Sequence, residues 1–232
     1  MSDFKRKTQR KNKGRLFIMN GFIFDLDGTL LDSMPVWNNL LYTMLKKNGI
    51  TPPADLADRT KTLGLENATE MVLQEFGLNI DPAKAYQMFQ DEMEYQYCNN
   101  IPLKPGVQEF LDAMKEKVPM AIATATSRVL VEKALEHHQL TDYFQSITTV
   151  SEAGVGKHDP KVFLIATNKL NLPVEQCVVF EDSLTAVRSA NNAGFKTVAV
   201  YEASNPHEQE ELKAEAHLHI LDFYTLTKNE NQ

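Results

Sequence analysis

Cysteine and tryptophan are scarce in this chain of 232 residues, which contains two cysteines and one tryptophan. Cys98 and Cys177 lie too far apart to form the short spacing of a zinc or redox motif, so neither kind of site is predicted from them. Two such thiols favour a reducing, cytoplasmic location. No apolar stretch approaches the roughly 20 residues that cross a membrane, so we expect a soluble protein without a membrane partner.

Positive charge is in excess only at the N-terminus. Residues 1–18 carry seven Lys or Arg and one acid, a net charge of +6. The whole chain carries −7, so the remaining residues carry −13, which disfavours nucleic acid as a partner of the folded body. The basic segment predicts a disordered, dispensable tail, or an arm that binds an acidic partner or nucleic acid. A signal peptide is disfavoured because Asn20, Gly21 and Asp25 interrupt the apolar stretch that follows.

Short, β-rich apolar runs alternate with helical patterns along much of the chain. The predicted strands are 22–25, 120–124, 146–150, 177–181, 196–201 and 216–221. The predicted helices between them are 128–138, 160–170 and 184–193. Asp159-Pro160 and Asn205-Pro206 are typical of helix starts, with a capping side chain before proline. This alternation predicts an α/β fold, a Rossmann-like parallel sheet with helices on both faces.

The interval between the first two strands is too long for a single crossover. From Asp25 to Thr124 is 99 residues, whereas one crossover unit needs about 30. The interval reads as helices at 35–48, 54–62, 67–76 and 82–98. We therefore predict a helical domain at 34–103, inserted into an α/β core formed by 19–33 and 104–226, with tails at 1–18 and 227–232.

Two carboxylates stand where the first strand is predicted to end. Asp25 closes the apolar run, Asp27 follows it, and Gly28 allows the chain to turn sharply. Burying Asp25 is costly unless a metal ion, a proton or hydrogen bonds compensate for its charge. The second carboxylate raises that cost and makes a cation the favoured compensation.

Further polar residues follow the later strands of the predicted sheet. In an open parallel sheet the carboxyl ends of the strands share one edge, and ligands bind there. The second strand ends in hydroxyl groups, a lysine precedes the helix after the third strand, and two acids end the fourth. These are the hydroxyl-rich run Thr124-Ala125-Thr126-Ser127, then Lys157, and the acids Glu181 and Asp182. Together with the first strand's acids they predict one polar site.

In this order the residues resemble the haloacid dehalogenase superfamily of phosphotransferases. Its four motifs correspond to Asp25-Leu26-Asp27-Gly28-Thr29-Leu30, Thr124, Lys157 and Glu181-Asp182. The run Phe180-Glu181-Asp182-Ser183 and the position of the helical insertion are similar to the β-phosphoglucomutase and phosphoglycolate phosphatase branch, in which the insertion is a cap domain. The third motif departs from the usual Lys-Pro-x-Pro, since His158 stands where the first proline is expected.

The resemblance implies a role for each acid. Asp25 is the nucleophile that takes the phosphoryl group, and Asp27 is the general acid and base. Mg²⁺ is the implied cofactor, bound by the side chains of Asp25 and Asp182 and by the backbone carbonyl of Asp27. Glu181 is either a further metal ligand or a neighbour of the ligands.

The resemblance also implies a phosphate-binding side to this site. The hydroxyl of Thr124 and the backbone N–H of Ala125 bind phosphate oxygens. Lys157 neutralises the nucleophile and the transferring phosphoryl group. The role of His158 stays open.

Several activities are open to a chain of this kind. A mutase needs basic residues for a second phosphate, but residues 34–103 carry five basic and nine acidic residues, and no Arg lies in the predicted substrate-facing turn at 63–67. The histidine of mutases is replaced by Pro35-Val36-Trp37. We therefore favour a monomeric phosphatase that hydrolyses a small phosphorylated metabolite, such as a sugar phosphate. The alternatives are a sugar phosphomutase and a catalytically silent binding module that uses the basic tail.

Overall fold

The computed structural model describes residues 20–60 and 65–227. The chain forms two compact units, one of residues 33–101 and one of the residues on either side of that segment. The predicted tail at 1–18 and residues 228–232 lie outside the described residues. Within the described ranges, no helix combines the length and the apolar composition that crossing a membrane requires.

A six-stranded parallel sheet forms the centre of the larger unit. Its strands are β1 (Gly21–Phe24), β2 (Met120–Thr124), β3 (Ser146–Thr149), β4 (Cys177–Glu181), β5 (Lys196–Val200) and β6 (Leu218–Ile220). They lie in the order β3-β2-β1-β4-β5-β6, and every pair is parallel. The strand order reverses between β1 and β4, so the carboxyl ends of these two strands flank the expected ligand position. The predicted fold class is confirmed.

The smaller unit, which interrupts the chain between β1 and β2, is helical. Its helices are α1 (Met34–Lys47), α2 (Leu56–Thr60), α3 (Leu65–Glu75) and α4 (Pro82–Asn99). The start of α4 follows from its sequence, because the Asp81 side chain accepts a hydrogen bond from the N–H of Ala83 at 2.9 Å and Pro82 takes the first helical position, where no N–H is needed. Apolar side chains of α1 and α4, including Leu45 and Phe89, are buried.

The helices of the larger unit lie in the connections after its strands, and the first of them comes after the inserted helical unit. They are α5 (Val107–Met114), α6 (Arg128–His137), α7 (Val150–Ala153), α8 (Lys161–Lys169), α9 (Leu184–Asn192), α10 (Gln209–Glu215) and α11 (Tyr224–Thr227). Short 3₁₀ turns at Thr141–Tyr143 and Val174–Gln176 precede β3 and β4. On one face of the sheet, Ile23 and Val179 pack with Phe163 of α8 and Ala186 of α9. Because both faces of the sheet are buried, the central strands β1 and β4 are nearly continuous apolar runs.

Aromatic rings fill the opposite face of the sheet. Successive strand residues point to opposite sides, so Phe22 and Phe24 of β1 and Phe180 of β4 share this face. The rings of Phe24 and Phe180 stack with centroids 4.5 Å apart. Phe110 of α5 stacks on Phe22 at 5.9 Å and contacts Phe223 at 5.4 Å. These rings hold β1 and β4 side by side below the ends that carry the acids.

Some predicted boundaries are wrong. The helix predicted to start at Asn205-Pro206 begins at Gln209, because residues 206–208 form a turn in which the N–H of Glu208 donates to the Asn205 carbonyl at 3.2 Å, and the Gln209 side chain donates to the same carbonyl at 3.2 Å. The strand predicted to reach Val150 ends one residue earlier, where Thr149 caps α7 by accepting from the N–H of Glu152. In the turn predicted at 63–67, Leu65 already begins α3, and residues 63 and 64 lie outside the described residues.

The aromatic face predicts a large effect of one substitution. Phe110→Ala should lower the free energy of unfolding by about 3–5 kcal/mol, because the ring is fully buried among other rings and leaves a cavity. Val129→Ala, on the exposed side of α6, is the control and should change stability by about 0.5 kcal/mol or less. Urea unfolding followed by circular dichroism measures both, and equal losses would contradict this core.

Candidate active site

The acids predicted at the ends of β1 and β4 come together at the reversal of strand order. The register pairs Phe24 with Phe180, and the N–H of Asp25 donates to the Phe180 carbonyl at 3.0 Å. Asp25 therefore stands beside Glu181. One carboxylate oxygen from each of Asp25, Glu181 and Asp182 lies within 4.8 Å of the others, and all three residues are buried.

Lys157, from the segment between α7 and α8, reaches into this acidic cluster. Its Nζ lies 2.5 Å from Oδ1 of Asp25 and 2.5 Å from Oε1 of Glu181. The other oxygen of Glu181, Oε2, accepts from the N–H groups of Asp182 and Ser183, both at 3.2 Å. Glu181 thus links the lysine to the turn that follows β4.

The segment around Lys157 is ordered without the first proline of the family pattern. The N–H of Asp159 donates to the Gly156 carbonyl at 3.0 Å, and Oδ1 of Asp159 accepts from the N–H of Lys161 at 2.9 Å. The His158 side chain folds back over Gly156, where an added Cβ would lie 3.2 Å from its Nδ1. A turn and a capping bond hold this loop, and His158 itself is exposed.

Burial of the cluster shifts the pKa of its members. Burial is the main cause that raises the pKa of Asp25 to about 7; Lys157 opposes this rise, and Glu181 adds to it. Burial, followed by the charges of Glu181 and Asp25, raises the pKa of Asp182 well above its ordinary value. Burial acts to lower the pKa of Lys157, but Asp25 and Glu181 outweigh it and raise that pKa, so the lysine stays protonated. One ammonium is too little positive charge for this cluster.

The loop after β1 approaches Asp182 closely. Gly28 has a φ of +77°, and a Cβ on it would lie 2.3 Å from Oδ2 of Asp182. Oγ1 of Thr29 donates to Oδ1 of Asp182 at 3.3 Å. Buried carboxylates with uncompensated charge are hard oxygen ligands of the kind that Mg²⁺ takes. The residues present therefore fit a divalent cation.

The end of β2 brings hydroxyl groups to the same edge of the sheet. The register pairs Phe24 with Ile122, so Thr124 lies beside the residues that follow β1. Thr124 is buried, and Ala125 is exposed in the turn after it. The N–H of Thr126 donates to Oγ1 of Thr124 at 3.1 Å, and Oγ1 of Thr126 donates to Oδ2 of Asp27 at 2.5 Å. The Asp27 carboxylate therefore contacts the loop after β2.

Three polar residues at this edge were not assigned a role from the sequence. Thr29 lies inside the first motif and Thr126 follows the second, so their positions in the sequence were a usable signal. Lys104 had no such signal. Its Nζ donates to Oε2 of Glu202 at 2.6 Å and to the Tyr201 carbonyl at 2.7 Å, and both charged side chains are buried. This ion pair joins the segment after the insertion to the end of β5.

Comparisons with known proteins agree with this geometry. Residues 22–200 match the family model of the haloacid dehalogenase-like hydrolases. The phosphorylated carbohydrates phosphatase of Thermotoga maritima is 26% identical over 181 residues, which are 78% of this chain and 84% of the relative. A probable pseudouridine-5'-phosphatase of Drosophila melanogaster is 27% identical over 208 residues, 87% of this chain and 90% of the relative.

A solved structure extends the likeness to the whole fold. The crystal structure of a putative β-phosphoglucomutase from Thermotoga maritima has a TM-score of 0.80 and 25% sequence identity, and the match covers 90% of this chain and 97% of that one. The resemblance carried by the four motifs is thereby confirmed at the level of family and fold.

The close approach at Gly28 leads to a prediction about stability. Gly28→Ala and Gly154→Ala both place a side chain at positive φ, which costs about 1–2 kcal/mol. Only the Gly28 substitution also forces Asp182 to move, because nothing lies within 4 Å of a Cβ at Gly154. Overpacking should add about 1–3 kcal/mol to the loss at Gly28 in urea unfolding, and equal losses for the two variants would show that the contact is relaxed.

The buried pair of Lys104 and Glu202 predicts a pH dependence of stability. Burial raises the pKa of Glu202, but hydrogen bonds from Lys104 and Ser204 outweigh it and leave that pKa below its ordinary value of 4.5. The folded state thus binds this proton less readily than the unfolded state, so the carboxylate stabilises the fold above pH 4.5 and loses its effect as the pH falls through the lower folded pKa.

Glu202→Gln should therefore lower the free energy of unfolding by about 3–5 kcal/mol at pH 7, and the difference from wild type should shrink on acidification below pH 4.5. Glu215→Gln is the matched control, because its partner Arg188 is exposed and such pairs contribute about 1 kcal/mol or less. Chemical unfolding at pH 7, 5 and 3.5 measures both variants. A Glu202→Gln difference that does not change with pH would contradict the assignment.

Proposed function

The chain belongs to the haloacid dehalogenase-like hydrolases and is a hydrolase of phosphoric monoesters, and we propose that it is a magnesium-dependent phosphatase of a small phosphorylated metabolite. The observation that carries this proposal is the buried cluster of Asp25, Glu181 and Asp182 around Lys157. A sugar phosphate is the favoured substrate class, because one matched relative is named for phosphorylated carbohydrates.

We propose that Asp25 and Asp27 carry the two chemical steps. In the first, a carboxylate oxygen of Asp25 forms a bond to phosphorus, the ester P–O bond breaks with its electron pair on the ester oxygen, and Asp27 donates a proton to that oxygen. In the second, water attacks phosphorus and gives a proton to Asp27 as the Asp25–phosphorus bond breaks. Inorganic phosphate leaves, and Asp25 and protonated Asp27 are restored.

Mg²⁺ is the cofactor that suits this cluster. Asp25 and Asp182 would hold it through their carboxylates, and Asp27 through its backbone carbonyl. When bound, Mg²⁺ supplies the positive charge that reduces repulsion between the carboxylates and an anionic phosphate. We assign Glu181 to holding Lys157 rather than the metal, because its two oxygens already bond the lysine and two backbone N–H groups.

Phosphate binding is proposed for the end of β2. The Thr124 oxygen accepts from the N–H of Thr126, which orients its hydroxyl hydrogen for donation to a phosphate oxygen. The N–H of Ala125 in the adjoining turn is the second proposed donor, and the Lys157 ammonium is the third. Such preoriented donors stabilise charge on a transferring phosphoryl group.

A sugar phosphomutase is the second candidate, because a structural neighbour is described as a putative β-phosphoglucomutase. The acidic composition of residues 34–103 and the missing histidine argue against it. The silent binding module is disfavoured by the set of acids and lysine that the fold brings together. The cap role of the helical unit, a monomeric state and a cytoplasmic location stay predictions.

Phosphate release tests the proposal. With Mg²⁺ and a panel of small phosphomonoesters, the wild-type protein should release inorganic phosphate, and excess EDTA should abolish release. Asp25→Asn should lower kcat by at least about 1000-fold, because it removes the nucleophile. Glu175→Gln, which alters an exposed acid before β4, should leave kcat unchanged.

The two candidate activities give different products. A phosphatase releases inorganic phosphate and the free alcohol, whereas a mutase forms an isomeric sugar phosphate without net release. Folded, Mg²⁺-supplied protein that releases phosphate from none of the esters would overturn the phosphatase proposal.

A further inference from the structure

Thr126 contacts the proposed acid and base directly, although it belongs to none of the four motifs. We propose that Thr126 is a positioning residue that orients the Asp27 carboxylate for proton transfer. Its Oγ1 donates to Oδ2 of Asp27 at 2.5 Å. This distance lies at the short end of the range for O–H···O hydrogen bonds, so the contact fixes the position of Oδ2 closely. The proposal rests on the phosphatase function proposed above.

Thr126 lies between two ordered segments, the end of β2 and the start of α6. Its N–H donates to Oγ1 of Thr124 at the end of β2, and the next residue, Ser127, precedes the first turn of α6. Thr126 is 8% exposed, so its side chain has little room to rotate. Its hydroxyl therefore points to Asp27 from a fixed place.

The backbone on the Asp27 side is also held. The N–H of Leu31 donates to the Leu26 carbonyl and the N–H of Gly28 to the Leu31 carbonyl, both at 2.9 Å. These bonds close the loop around Asp27 and leave its side-chain torsions to be set by contacts of the carboxylate. The bond from Thr126 anchors Oδ2, and we assign the transferred proton to Oδ1.

This arrangement has a consequence that depends on the leaving group. An alkoxide is a poor leaving group and needs a proton from Asp27, whereas p-nitrophenolate leaves readily without one. A misplaced Asp27 should therefore slow phosphoryl transfer from an alkyl phosphate far more than from p-nitrophenyl phosphate. General acid catalysis contributes about 10²–10⁴-fold in rate, so partial misplacement should cost about 10- to 100-fold.

The experiment compares kcat/KM for the two substrates in Thr126→Val, which keeps the shape of the side chain and removes the hydroxyl. We expect a loss of about 10- to 100-fold for an alkyl phosphate and about threefold or less for p-nitrophenyl phosphate. Because kcat/KM reports the steps up to release of the alcohol, it includes the proton donation by Asp27 and excludes its later action as a base. Thr126→Ser restores the hydroxyl and should recover most of the loss, and Asp27→Asn should show the same substrate pattern more strongly.

Thr148→Val is the matched control for the substitution itself. The Thr148 hydroxyl is buried in β3 and has no hydrogen-bond partner among the described residues, so its removal should leave both kcat/KM values unchanged. Thermal unfolding of each variant reports whether the fold is kept.

Each outcome separates this inference from the proposed function. An equal loss on both substrates in Thr126→Val would show a merely structural role, and no loss on either would show that Asp27 needs no orientation; both results overturn the inference. If the wild-type protein hydrolyses neither substrate with Mg²⁺, the proposed function fails first. A loss confined to the alkyl phosphate that Thr126→Ser reverses supports both.

Discussion

The structure buries more negative charge at one edge of its sheet than a single lysine can compensate. Asp25, Glu181 and Asp182 meet at the reversal of strand order, where burial raises the pKa of Asp25 and Asp182. Ionised carboxylates in such a place are unfavourable unless a cation is near. The protein tolerates this cost at one edge of the sheet, and the same imbalance makes the edge attractive to a divalent cation. Stability and the proposed chemistry therefore oppose each other at this cluster.

The rest of the fold supports that cluster. The aromatic rings of Phe22, Phe24 and Phe180 keep β1 beside β4, so the acids that follow these strands are adjacent. Gly28 lets the loop after β1 pass within contact of Asp182. The buried pair of Lys104 and Glu202 ties the segment after the insertion to β5. These contacts are nonlocal, and each limits how far the acids can move apart.

The two proposed reacting groups, Asp25 and Asp27, are held by side chains of different kinds. Asp25 forms an ion pair with Lys157, which Glu181 also binds. Asp27 accepts a hydrogen bond from the hydroxyl of Thr126, which adds no charge. A nucleophile benefits from a neighbouring positive charge, whereas a group that must both give and take a proton benefits from orientation alone. The two acids of one loop are thus in different surroundings.

The sequence by itself determined the strands, the inserted helices and the identity of the acids, because these depend on local apolar runs, capping residues and motifs. It misplaced the start of α10, because the Asn205 carbonyl accepts from the Glu208 N–H and from the Gln209 side chain in a turn that precedes the helix. It offered no sign of the pairing between Lys104 and Glu202, which lie 98 residues apart. Nor did it show that Thr126 would meet Asp27, 99 residues away. Only the tertiary structure decided these partnerships, because hydrogen bonds and ion pairs depend on distance in space, which strand order and register determine.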